Sequence, residues 1–157
     1  MTEPRLTARV LPVCPEGEVL LLQDQDPARP GVLRWGSIGG AVDDGETLLE
    51  AAVRELREET GIEVPTARLS EPIHRSDYEF SWDGRHFVTD STFFAMPLAR
   101  DVEVSFDGLE PSEVGNVLAA RWWTPEDLAA DGTAVSPELV PVMVTAIATI
   151  PSTEGPQ

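Results

Sequence analysis

Glu55, Glu58 and Glu59 stand at i, i+3 and i+4, a spacing that gathers three carboxylates within roughly a third of the circumference of an α-helix. Like charges so placed repel by about 0.2–0.5 kcal/mol per pair on an exposed helix. Leu49, Ala52, Val53 and Leu56 form an adjoining apolar stripe, with Glu50 and Arg57 on the far side. The acidic face therefore borders the packed face and looks along the protein surface into a cleft. Clustered carboxylate oxygens in a cleft suit a hard divalent cation, Mg2+ or Mn2+, held by a few carboxylates, waters and substrate phosphates. Taken alone, the three glutamates fit a solvated acidic face about as well; the residues around them decide.

Those residues build the two ends of a helix over Thr47 to Thr60. Gly39-Gly40 allows close backbone approach where a loop meets the site, and Asp43-Asp44-Gly45 is a turn sequence. Glu46 or Thr47 begins the helix, where an acid suits the N-terminal dipole. Gly61 is placed to end it in the left-handed region, and Pro65 prevents continuation.

From Gly40 to Ile62 the chain reads G-x5-E-x7-R-E-U-x-E-E-x-G-U, with U aliphatic, carried by Gly40, Glu46, Arg54, Glu55, Leu56, Glu58, Glu59, Gly61 and Ile62. This resembles the Nudix box, the signature of hydrolases that cut diphosphate bonds in nucleoside diphosphate derivatives. The resemblance implies an α/β/α sandwich with a mixed β-sheet. It also implies a metal site from the Gly39 carbonyl, Glu55, Glu59 and Glu58, with Arg54 holding Glu46 or Glu55 in place. The implied cofactor is Mg2+ or Mn2+. Glu58 or Glu55 is a candidate base for activating water, as is an acid from the loop carrying Glu110 and Glu113. Nudix chains usually place proline before the Gly-Gly pair; this chain has Ile38, which cannot fix φ as proline does.

At 157 residues the chain is expected to form one domain over residues 1–157, with about 1–5 and 151–157 flexible. Its net charge is −17, from 28 acidic and 11 basic residues, all of the latter arginine. Such a surface disfavours nucleic acid polymers and anionic membranes, whose binding relies on basic residues neutralising phosphates. A small phosphate ester remains a fitting partner if a divalent cation supplies positive charge locally. Nudix proteins are often dimers, so a homodimer is a further candidate partner. Cys14 is the only cysteine, which leaves no intramolecular disulfide. With no long apolar run and no signal-like N-terminus, a cytoplasmic location is the default expectation.

Strands are expected over Leu6 to Val13, Val19 to Gln23, Ile38 to Val42, Arg68 to Arg75, Tyr78 to Trp82, His86 to Leu98 and Ala119 to Trp123. Asp24 to Gly31 and Asp101 to Gly115 read as loops, and Asp83-Gly84 as a turn. Thr124-Pro125 starts one helix, and Ser136-Pro137-Glu138 another towards Ile150. Candidates for substrate contact are Trp35, Arg75 and Tyr78, with Phe80, Trp82 and Arg85 beside them; packed aromatics and plain surface arginines are the bland readings. His74 and His86 read as packed or surface residues. The expected function is metal-dependent hydrolysis of a diphosphate bond in a nucleoside triphosphate, dinucleoside polyphosphate or nucleotide sugar. The alternatives are a Nudix-fold nucleotide-binding or regulatory module without catalysis and, less in keeping with the intact box, an acidic scaffold.

Overall fold

In the computed structural model, residues 4–111 and 113–150 are described, Tyr78 by its backbone alone. Seven strands form a mixed sheet: β1 (Arg5–Val13), β2 (Val19–Gln25), β3 (Leu33–Gly36), β4 (Ile38–Ala41), β5 (His74–Trp82), β6 (Arg85–Pro97) and β7 (Val117–Trp123). The main path runs β3-β2-β1-β6-β5, with β4 added to β1 and β7 to β2. β1 runs parallel to β6; the other pairings are antiparallel.

Helices cover both faces, because the central strand is apolar on both sides, as buried mixed sheets require. Ala8 and Val10 of β1 join Leu20, Ile38 and Met96 beneath α1 (Leu48–Thr60). Leu11 and Val13 point the other way, against α2 (Pro125–Asp131) and α3 (Leu139–Thr149). α3 buries Leu139, Val142, Met143 and Ala146 at i, i+3, i+4 and i+7, each large aliphatic side chain contributing about 1.5–3 kcal/mol by leaving water. The result is the expected α/β/α sandwich.

Three local readings change. The expected strand over Arg68 to Arg75 is a short 3-10 turn (Thr66–Arg68) followed by extended chain, and the next strand begins at His74, absorbing the segment from Tyr78. β3 covers Leu33–Gly36, to which no element was assigned, and β2 continues to Gln25, into the loop expected from Asp24 to Gly31. Arg5, expected to be flexible, instead opens β1; residues 1–3 and 151–157 lie outside the described residues. Pro141 sits in the first turn of α3, where its missing N–H costs nothing.

One feature of the sheet positions the site. The start of β1 pairs with β4 (Thr7 to Val10 against Ala41 to Ile38), whereas its end pairs with β2 at Val13–Val19. β2 and β4 thus part from a common strand. Arg9, Asp24, Gly36 and Ser37 line one cavity of about 420 Å3 at this fork.

Candidate active site

α1 is held at both ends by the residues the sequence marks. Thr47 and Glu50 make a reciprocal capping box, and Gly61 closes the helix in the left-handed region at φ 76°. Ala52 and Leu56 are fully buried, while Glu50 and Arg57 are exposed. The acidic face consequently turns inward along the edge of the packed face. Glu55 and Glu59 are buried, with 8% and 5% of their surface exposed.

Arg54 is the hub of the acidic face. Its Nε donates to Glu46 Oε2 at 2.7 Å, and its Nη2 to Glu46 Oε1 at 3.1 Å and to the Ala41 carbonyl at 2.8 Å. Nη1 donates to Glu55 at 3.2 Å and to Glu58 at 3.1 Å. The fork-to-fork pair with Glu46 is the strong form of an arginine–carboxylate contact, and it pushes the guanidinium pKa up and that of Glu46 down. Arg54 therefore serves Glu46 and Glu55 together, and Glu58 as well.

The two glycines place backbone against the buried acids. Gly39 N–H donates to Glu59 Oε1 at 2.8 Å. A Cβ on Gly40 would stand 2.5 Å from Glu55 Oε2, so only glycine lets that carboxylate lie against the strand. Arg9 reaches across from β1, its Nη1 donating to the carbonyls of Ser37 at 3.3 Å and Gly39 at 3.2 Å. The carbonyls on either side of Ile38 are thereby tied to one guanidinium, and Ile38 itself is fully buried in the core under α1. Packing and this bracket hold the segment that proline would otherwise stiffen.

Glu113, from the loop before β7, lies close enough to Glu55 and Glu59 for its charge to raise the pKa of both. Burial above all pushes Glu55 up to about 7, with Glu58 and Glu113 adding to the rise and Arg54 and Arg9 opposing it. Burial likewise drives Glu59 well above the usual carboxylate range, helped by Glu55 and Glu113. Asp24, on the other side of the fork, rises to about 6 for the same first reason. Among the described residues, no three His, Cys, Asp or Glu side chains form a ready-made metal cluster.

These raised values predict how the metal-free protein responds to pH. Between about 4.5 and 7 the native state holds more protons than the unfolded chain, so stability is full below that window and is lost as pH rises through it. Urea unfolding in a chelator is expected to show a lower stability at pH 8 than at pH 5.5, by about 2 kcal/mol for Glu55. Glu55→Gln flattens the slope. A midpoint that climbs with pH would contradict the burial of these acids.

The other sequence candidates are scattered. Trp35 is buried at 6% exposure, packed edge-on against Trp123 with ring centroids 5.4 Å apart. It is a core residue and does not line the cavity, which corrects its reading as a substrate contact. Arg75 is exposed and holds Asp90 bidentately at 2.9 and 2.6 Å, away from the cavity. Tyr78 pairs with Thr89 in the β5–β6 register; its side chain lies outside the described residues. Phe80 and Trp82 do line the cavity. Sequence reasoning missed Arg9, Asp24 and Glu138 there. The signal available for Arg9 was a single charged residue inside an otherwise apolar strand.

An α/β/α sandwich with a capped acidic helix packed against a Gly-Gly strand is the arrangement that the sequence resemblance implied. A family profile described as the NUDIX domain matches residues 3–143, and the chain belongs to the Nudix family. It is 33% identical over 95 residues to an uncharacterised Nudix hydrolase of Rhodococcus erythropolis, covering 59% of this chain and 46% of that one. Over 58 residues it is 47% identical to the mouse (Mus musculus) asymmetrical bis(5'-nucleosyl)-tetraphosphatase, covering 37% of each. An RNA pyrophosphohydrolase of Erythrobacter litoralis is 30% identical over 125 residues, with 72% of this chain and 71% of that protein covered. The chain thus spans less than half the length of the first two relatives. Among solved structures, the E. coli dihydroneopterin triphosphate pyrophosphohydrolase superposes with a TM-score of 0.68 at 20% identity, covering 95% of this chain and 100% of that one. At that identity the likeness speaks for the fold.

Proposed function

We propose that the chain hydrolyses a diphosphate bond in a small nucleotide with the help of a divalent cation. The observation that carries this reading is the burial of Glu55 and Glu59 beside Glu113 and the Gly39–Gly40 backbone, linked through Arg9, which donates to the Gly39 carbonyl, to a cavity of about 420 Å3. Buried acids held close together are costly unless a cation joins them. Their donors are all carboxylate and carbonyl oxygens, which fit Mg2+ or Mn2+. Glu55, Glu58, Glu59 and the Gly39 carbonyl would hold the cation. Its chemistry there is to acidify water and neutralise charge on phosphate oxygens.

The chain's own residues do the rest. Arg54 keeps Glu46, Glu55 and Glu58 in fixed rotamers. Glu55, whose pKa is raised by burial, and Glu113 beside it are the candidates to take a proton from the attacking water. Arg9, half-buried and in no ion pair with a described residue, presents its remaining N–H donors to the cavity, where an anionic phosphate would accept them.

The relatives act, by their names, on bis-nucleosyl tetraphosphates and on RNA. A net charge of −17 favours the small nucleotide over the polymer. The test is release of phosphate or nucleoside monophosphate with Mg2+ and then Mn2+. Its panel holds nucleoside triphosphates, a dinucleoside polyphosphate, a nucleotide sugar and a 5'-triphosphorylated RNA. Metal-dependent cleavage of a small member supports the reading. Ligand-induced stabilisation without cleavage of any member would make the chain a binding module.

A further inference from the structure

Glu138 is a carboxylate in the cavity that the hydrolytic chemistry does not use. It precedes the first turn of α3 and makes no capping bond to the helix. Its oxygens are instead drawn across to β5: Ser76 Oγ donates to Oε1 at 2.8 Å, and His74 Nε2 lies 3.3 Å from Oε2. Each oxygen is thus fixed by one partner and keeps a second lone pair. The side chain is about a third exposed, and Glu138 lines the cavity with Ser136 from the same turn. Trp82 and Phe80, the latter stacked on Phe87, are half-buried on β5 and line the same space with aromatic surface.

A fixed, acceptor-only carboxylate beside aromatic faces selects its ligand by pattern. It complements a ring edge that presents two adjacent N–H donors. Guanine does so through N1–H and its 2-amino group. Adenine offers a donor next to a ring-nitrogen acceptor, which the carboxylate repels. Resting on the reading of this cavity as a nucleotide site, we propose that Glu138 determines base specificity by pairing with the N1–H and 2-amino edge of a guanine nucleotide. Ser76 holds the carboxylate for that contact, and the hydroxyl of Ser136 stands on the same turn.

Binding of GMP and AMP by calorimetry tests this without relying on hydrolysis, since neither contains a diphosphate bond. The wild-type chain is expected to bind GMP roughly 10–100-fold more tightly than AMP, the discrimination typical of a bidentate base contact. In Glu138→Gln the carboxamide offers one donor and one acceptor, which suits adenine, so the preference is expected to collapse or invert. A purely structural role would weaken both ligands alike and leave their ratio unchanged. If α3 loosens in this variant, both ligands meet the same protein and the ratio still reports the base edge. Equal binding of GMP and AMP by the wild-type chain, a ratio unmoved by Glu138→Gln, or binding of neither would overturn the assignment. Should GMP preference be present while no nucleotide is hydrolysed, the proposed reaction fails and this assignment stands.

Discussion

Glu59→Gln is expected to lower metal-dependent turnover by about 10²–10⁴-fold, the range for losing a positioned ionisable group from an active site, while leaving the fold intact. The side chain is buried at 5% exposure and accepts the Gly39 N–H at 2.8 Å. A glutamine amide oxygen can accept that same bond at nearly the same volume. Burial and the carboxylates of Glu55 and Glu113 already drive Glu59 towards its neutral form when no cation is present, and the amide mimics that form. Thermal unfolding in a chelator is therefore expected at the wild-type temperature or above it. Divalent cations are expected to stabilise the wild-type chain by binding its native state and to lose most of that effect in the variant. Turnover within a few-fold of wild type would remove Glu59 from the reaction.

Gly39→Ala is expected to carry the largest cost in stability, about 3 kcal/mol or more, or roughly 6–12 °C in melting temperature for a chain of this size. Gly39 sits at φ 151°, and a Cβ there would run into the Ala8 carbonyl oxygen and stand 2.8 Å from the Arg9 Cα. Both are backbone of β1, which cannot swing aside as a flexible side chain can. Relief demands separating β4 from β1, where Arg9 and Gly39 face each other in register. That separation also moves the Gly39 N–H from Glu59 and its carbonyl from Arg9. Gly17→Ala is the control: φ is 81°, yet nothing lies within 4 Å of the added carbon, so only the left-handed backbone cost of about 1–2 kcal/mol applies. Comparable melting of the two variants would show that β1 yields at this point.

The parts legible in the sequence are those written in local residue order. Capping at Thr47 and Thr124, termination at Gly61, the Asp83-Gly84 turn and the spacing of Glu55, Glu58 and Glu59 all act within one or two turns of chain, where backbone chemistry is decisive. Arg54's hold on Glu46, which lies before the helix, was implied by the family resemblance alone. What stayed hidden depends on partners far along the chain. β3 is four residues long and exists through pairing with β2; Leu33 to Gly36 carry little strand preference alone. The segment up to Ile73 meets β6 through isolated bonds, Ser70 N–H to the Ala95 carbonyl and Ile73 N–H to the Phe93 carbonyl, and the regular ladder begins at His74. Trp35 illustrates the same limit, since an aromatic beside a predicted site is as readily a core residue. Arg9 and Glu138 join the cavity only because β1, β5 and α3 converge, a placement no local spacing encodes.

The forked first strand also bears on the order in which the chain acquires structure. β1 aligns with β6 along its whole length, and its Thr7 meets Ser91 at a separation of 84 residues. Closing so long a loop is entropically expensive and slows folding. The β5–β6 hairpin, by contrast, closes through Asp83-Gly84 alone. During synthesis the N-terminal strand leaves the ribosome well before its parallel partner exists. The acidic helix then has no completed sheet on which to bury its glutamates, so the costly cluster of carboxylates is assembled late, when β6 arrives to hold β1 in place.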